Sequence, residues 1–84
     1  MKAASRRKYH IIYKTTCQIT GRFYIGMHST DDLNDSYLGS GVRLRRSIEK
    51  HGVKNHQREI LEILPTRQDA SNREKEIITE DLRA

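Results

Sequence analysis

The chain has 84 residues and a mass of 9.8 kDa, enough for one small domain that buries only about 60% of its unfolded surface, so its core is thin. Hydrophobic residues make up 35% and charged residues 32%, which is polar for a globular domain but not disordered, because the apolar residues recur with clear periods. The net charge of +5 is unevenly placed: residues 1–27 hold six Lys/Arg and no acid, 28–41 three Asp and no base, 42–58 six bases against Glu49, and 59–84 seven acids against four bases. Two basic blocks in so small a domain point to a polyanion, since Lys and Arg contacts to phosphates supply most non-specific nucleic-acid affinity; a merely soluble basic surface is the plainer reading.

In chain order, residues 1–7 read as a flexible basic arm ahead of a domain spanning 8–84. Lys8–Thr16 and Arg22–His28 are rich in β-branched and aromatic residues and predict two strands joined by a Thr-Gly turn. The stretch 29–41 is dense in Asp, Asn, Ser and Gly and predicts a loop of a length that is often functional. Ser40–His51 predicts a helix with Leu44, Ile48 and His51 on one face and Gly52 at its C-terminal cap. Arg58–Leu64 predicts a third strand, stopped by Pro65. Thr66–Leu82 predicts a last helix, with Thr66 as N-cap and Asp69 three residues on. The order β-β-α-β-α makes this an α+β domain, a three-stranded antiparallel sheet flanked by helices.

Strand alternation sets Phe23, Ile25 and Met27 on one face and Arg22, Tyr24, Gly26 and His28 on the other, with the glycine clearing space beside a phenol and an imidazole. If the hairpin pairs with an odd residue sum, Tyr13 joins the Tyr24 and His28 face; a one-residue slip would remove it. Packing tyrosines and a satisfied polar histidine are the ordinary reading of each residue alone. On the last helix Ala70, Glu74, Ile77, Ile78 and Asp81 fall on one side, with Leu82 at its edge. Glu74 lies within that stripe and Glu76 projects away from it. A carboxylate so placed must be ion-paired, hydrogen-bonded or metal-bound. Arg43 and Arg45 flank the apolar face of the first helix, and Arg46 lies opposite. Arg22, Arg45, Arg46, Lys50 and Lys54 are the candidate phosphate contacts.

Two constellations are set aside. Asp31, Asp32, Asn34 and Asp35 lack the glycine and glutamate spacing of a calcium loop. Cys17, the one cysteine, excludes an internal disulfide and a multi-cysteine zinc site, suits a reducing compartment, and has no histidine near it in sequence to make it a nucleophile. No apolar run approaches the roughly 18 residues of a membrane span, and no signal-peptide core follows the basic start, so a soluble intracellular domain with no membrane partner is expected.

The two strands carry Ile11-Ile12-Tyr13 and Tyr24-Ile25-Gly26, with ten residues between the tyrosines. Together with SIEKHG closing the first helix, REILEILP as the third strand, and Glu74 ahead of Ile77-Ile78, this pattern resembles the GIY-YIG nuclease family over roughly residues 9–80. It looks most like phage-encoded homing-type endonucleases with YIGMHS and YLGSG stretches. Ile11 stands where the family usually has Gly. The family's arginine usually follows the YIG strand on a helix, whereas the loop 29–41 has none, so the resemblance passes that role to Arg43 or Arg45, Arg43 first, with His28 sharing it. The resemblance implies a metal-dependent endonuclease hydrolysing double-stranded DNA in the cytoplasm of a bacterial or phage-infected cell. Tyr13 or Tyr24 would orient or deprotonate the attacking water with help from His28, and Glu74 would hold one divalent cation, Mg²⁺ or Mn²⁺. The rival readings are a catalytically weak nucleic-acid-binding module of the same fold and a structural protein whose Tyr, His and Glu form a polar core. No zinc finger, helix-turn-helix or long linker is visible that would read a target sequence.

Overall fold

The computed structural model describes residues 8–83, with side chains described through residue 77, so the basic arm over 1–7 and the side chains of Ile78, Asp81 and Leu82 lie outside it. Three strands, β1 (Tyr9–Cys17), β2 (Phe23–Thr30) and β3 (His56–Leu64), form an antiparallel sheet in the order β2-β1-β3. Helix α1 (Val42–His51) leads through a single 3₁₀ turn (Val53–Asn55) into β3, and α2 (Arg67–Arg83) follows it. The predicted α+β order therefore holds, with element ends moved by one or two residues.

The central strand is the most apolar and is covered on both faces: Ile11 and Ile12, neighbours pointing opposite ways, are both fully buried. Each such side chain contributes about 1.5–3 kcal/mol on burial. The β1–β2 turn closes with the Cys17 N–H donating to the Arg22 carbonyl (2.8 Å) and the Gly21 N–H to the Cys17 carbonyl (2.8 Å), and Gly21 adopts φ +79°, a conformation that favours glycine.

This turn fixes the register. Tyr13 lies opposite Gly26, Ile11 opposite His28 and Thr15 opposite Tyr24, so every pair sums to an odd number and Tyr13 shares the Tyr24–Gly26–His28 face. On the other side β1 pairs Ile12 with Glu62 but Tyr13 with Ile60, leaving Leu61 as the extra residue of a β-bulge. That one residue decides what β3 shows to each face. Because of it, Ile60, Arg58 and His56 share a face with Tyr13, Thr15 and Cys17; regular pairing from Glu62 onward would have put Glu59 and Gln57 there instead.

The loop 31–41 and α1 cover the Tyr13 face. Thr15, fully buried, donates its hydroxyl to the Leu38 carbonyl (2.6 Å). At the Cys17 end, His56 donates from Nδ1 to the Gly52 carbonyl (2.7 Å), which leaves Nε2 to accept from the Ser47 hydroxyl (2.8 Å) and ties α1 to β3. Register also sets His56 opposite Cys17, a proximity that sequence distance hides; the thiol is fully buried within this packing. Gly52 takes φ +90° and its N–H caps α1 on the Ile48 carbonyl.

Helix α2 is anchored to the other face. Arg67 donates to Ser29 Oγ (3.0 Å) and Arg73 to Glu62 (2.7 Å), residues whose register places them with His10 and Ile12, and Ala70 between the two arginines is buried. Thr66 caps this helix, its hydroxyl accepting the Asp69 N–H at 3.0 Å. Phe23 is nearly half exposed and carries the Lys14 ammonium 4.7 Å from its ring centroid. Among the described residues no buried side-chain polar atom lacks a partner, and no helix is long and apolar enough to cross a membrane.

Candidate functional site

The site grows from a glycine. The hydroxyl end of Tyr13 lies over Gly26 on the neighbouring strand, so close that a Cβ on Gly26 would stand 2.5 Å from the phenolic oxygen and 2.8 Å from the ring carbon bearing it. Gly39, held at φ +134°, borders the same hydroxyl from the loop: a Cβ there would lie 2.9 Å from it and collide with Leu44. Two glycines thus flank one hydroxyl. The Tyr13 side chain is 5% exposed. Burial, together with the nearby Tyr37 phenol that bonds it and the charge of Glu74, pushes its pKa well above the ordinary tyrosine value; Arg58 opposes the shift only in part. Tyr13 is therefore a neutral phenol at physiological pH, suited to hydrogen bonding and not to service as a phenolate base.

Beside it stands a network that joins the loop to both outer strands. Tyr37 meets Tyr13 edge-on, with centroids 5.8 Å apart at 89°, and stacks flat on His28, at 3.8 Å and 9°. His28 Nε2 lies 2.9 Å from Asp35 Oδ2, which also accepts the Thr30 hydroxyl at 2.7 Å. Asp35 Oδ1 accepts from Arg58 Nη1 at 2.8 Å and from the Tyr37 N–H at 3.3 Å. Arg58 reaches further, to the carbonyls of Tyr37 (3.0 Å) and Leu33 (2.8 Å), and its side chain is 8% exposed. Burial alone would raise the Asp35 pKa. The donors from Thr30, His28, the Tyr37 backbone and Arg58 outweigh it and hold the carboxyl well below the usual range.

Of the residues singled out from sequence, the structure brings Tyr13, Tyr24 and His28 to one sheet face, with Tyr24 half-buried opposite Thr15. It does not bring the helix arginines into that cluster. Arg43, Arg45 and Arg46 are all exposed and their guanidinium groups bond no described residue; Lys50 and Lys54 are exposed nearby, and Arg22 is exposed at the hairpin. Arg43 nonetheless adjoins Leu44, which packs by Gly39 and the Tyr13 hydroxyl. Glu74 is half-buried on α2, and among the described residues no cation pairs with it, so of the three options for such a carboxylate the ion pair is not formed. Its link to the cluster is the electrostatic effect on Tyr13. Glu76, by contrast, accepts from Arg73 at 3.0 Å on the exposed side, as the helical phase predicts.

Sequence reasoning missed Asp35 and Arg58, the centre of the network. One signal was present: a loop with three aspartates and no base must find its cation elsewhere, and Arg58 opens the predicted third strand. A cleft of about 530 Å³ borders this network, lined by Asp35, Tyr37, Leu38, His56, Arg58 and Ile60 among others.

The chain is similar to endonucleases of a bacteriophage. It is 51% identical over 74 residues to the protein named "Putative endonuclease segE" of Enterobacteria phage T4, a match covering 88% of this chain and 36% of that protein. It is 41% identical over 73 residues to "Putative endonuclease segB" (87% and 33%) and 39% identical over 82 residues to "Endonuclease segA" (98% and 37%), both of the same phage. The chain thus spans about a third of the length of these relatives. No family profile and no solved structure matches it.

Proposed function

We propose that this chain is the catalytic part of a GIY-YIG-type endonuclease that hydrolyses phosphodiester bonds of double-stranded DNA. The observation that carries the reading is the joint placement of Tyr13, Tyr24 and His28 on one sheet face around Gly26, in a chain similar to phage endonucleases. In the proposed reaction the oxygen of a water bonds to phosphorus as the P–O3′ bond breaks and its electron pair stays on O3′. The water's proton passes to His28, and O3′ takes a proton from solvent. Tyr24 orients the water and the phosphate by hydrogen bonding, and the buried, neutral Tyr13 supports that face from beneath. Arg43 supplies positive charge to the scissile phosphate, where a guanidinium acts most strongly as charge develops in the transition state. Arg22, Arg45, Arg46, Lys50 and Lys54 hold the flanking phosphates.

Mg²⁺ fits Glu74, a half-buried carboxylate with which no described cation pairs, because Mg²⁺ keeps several waters and needs few protein oxygens. Among the described residues no group of three His, Cys, Asp or Glu gathers that would suit a metal held by protein alone. When bound, the ion would offset charge on the phosphate and the leaving oxygen. The test is nicking of supercoiled plasmid with Mg²⁺ or with EDTA. Nicking that requires the ion supports the proposal; salt-dependent DNA binding without nicking would replace it with the binding-module reading.

A further inference from the structure

Asp35 receives four donors, and the chemistry of that arrangement constrains a proton on a neighbouring ring. An ionised carboxylate only accepts hydrogen bonds. Its Oδ2 lies 2.9 Å from His28 Nε2, so in the neutral imidazole the proton sits on Nε2, and Nδ1, which bonds no described residue, keeps its lone pair. A half-turn of the ring would keep it on the Tyr37 face, where it stacks at 3.8 Å, but would carry Nε2 away from Asp35 and lose that hydrogen bond. The carboxylate cannot turn, because Thr30 holds Oδ2 while Arg58 and the Tyr37 N–H hold Oδ1. Arg58 in turn binds two loop carbonyls and stands on this face because of the Leu61 bulge.

We propose that Asp35 is the positioning residue of the site: it accepts the Nε2–H of His28 and thereby presents Nδ1 as the free, proton-accepting nitrogen. The role assigned to Nδ1 rests on the nuclease reading; the proton's place on the ring does not. In the proposed hydrolysis the attacking water gives its proton to Nδ1 while Nε2–H stays on Asp35, whose negative charge stabilises the imidazolium that forms.

Asp35→Asn makes a distinctive prediction. Arg58 and the Tyr37 N–H both donate to the Oδ1 position, so the amide oxygen takes that place and the NH₂ group faces His28. Donation into Nε2 then forces the ring proton to Nδ1, removing the accepting nitrogen. The experiment is long-range ¹⁵N–¹H NMR of the histidine rings of the full chain at alkaline pH, with His28 assigned by loss of its signals in His28→Gln, alongside single-turnover plasmid cleavage and DNA binding. The Nε2–H form is expected for the parent and the Nδ1–H form for Asp35→Asn, with cleavage reduced at least about a hundredfold and DNA affinity within about twofold. An Nδ1–H parent overturns the proposal even if the variant fails to fold, and so does a folded Asp35→Asn that keeps the parent tautomer or cleaves at the parent rate. If the parent does not cleave DNA, the nuclease reading fails while the tautomer comparison still decides the role of Asp35.

Discussion

Tyr13 and Gly26 face each other across the β1–β2 ladder, and the phenol occupies the space where any other residue would place its Cβ. Gly26→Ala has no backbone objection, since Gly26 is not among the glycines at positive φ; its cost is overpacking, about 1–3 kcal/mol. In a Tyr13→Ala background the same substitution should cost far less. Urea unfolding of the four proteins of this cycle measures the coupling, and equal costs in both backgrounds would show that the two residues do not interact.

Asp35 gives stability a pH dependence of known sign. Its folded pKa lies below the unfolded value of about 3.9, so its contribution is fully present above about pH 5 and is lost as pH falls further. Asp35→Asn should be less stable than the parent near neutrality, and the gap should shrink by an amount on the order of 1 kcal/mol on acidification, given a side chain 27% exposed. A gap that stays constant from neutral to acid pH would count against this assignment.

Arg58 holds the same network from the sheet side. Arg58→Ala strips Asp35 of a charged donor and leaves two loop carbonyls without theirs, so a loss of about 3 kcal/mol is expected. Thermal unfolding should show it, whereas Arg46→Ala, exposed and unbonded, should stay within about 0.5 kcal/mol of the parent.

Glu74→Gln should abolish Mg²⁺-dependent nicking and leave the fold intact, while Glu76→Gln should change little. Full nicking by Glu74→Gln would remove Glu74 from the site.

The exposed arginines should divide by role. Arg46→Ala is expected to weaken DNA binding uniformly and flatten its salt dependence by about one unit, the loss of one phosphate contact. Arg43→Ala should instead lose turnover at saturating DNA. Single-turnover rates and binding isotherms compared side by side decide it, and turnover lost only in Arg46→Ala would reverse the assignment.

The parts of this fold written in local pattern were legible: alternation in β2, the glycine after α1, the Thr66 cap, and the opposite phases of Glu74 and Glu76. The odd register was legible only as one of two options, because it depends on how many residues the hairpin turn consumes. The Leu61 bulge left no mark, since a run of Ile, Leu and Glu reads as regular strand whether or not one residue is skipped. For the same reason the pairing of Asp35 with Arg58 left only the unbalanced charge of the loop as a sign. The two lie 23 residues apart, and only the bulge and the fold of the loop bring them to 2.8 Å.

The shelter around Tyr13 also governs who can reach it. A hydroxyl on a side chain 5% exposed, flanked by Gly26 and bordered by Gly39 and the rings of Tyr37, offers no approach to a phosphate on a helix as wide as DNA. Any direct contact between that hydroxyl and a large substrate must begin with the loop 31–41 lifting from the sheet. Such an opening would part Arg58 from Asp35 and Thr15 from Leu38, so its frequency is set by the strength of those bonds. Entry to the tyrosine is then a gated event, and the loop that orders the imidazole also sets a ceiling on how often the phenol can be visited.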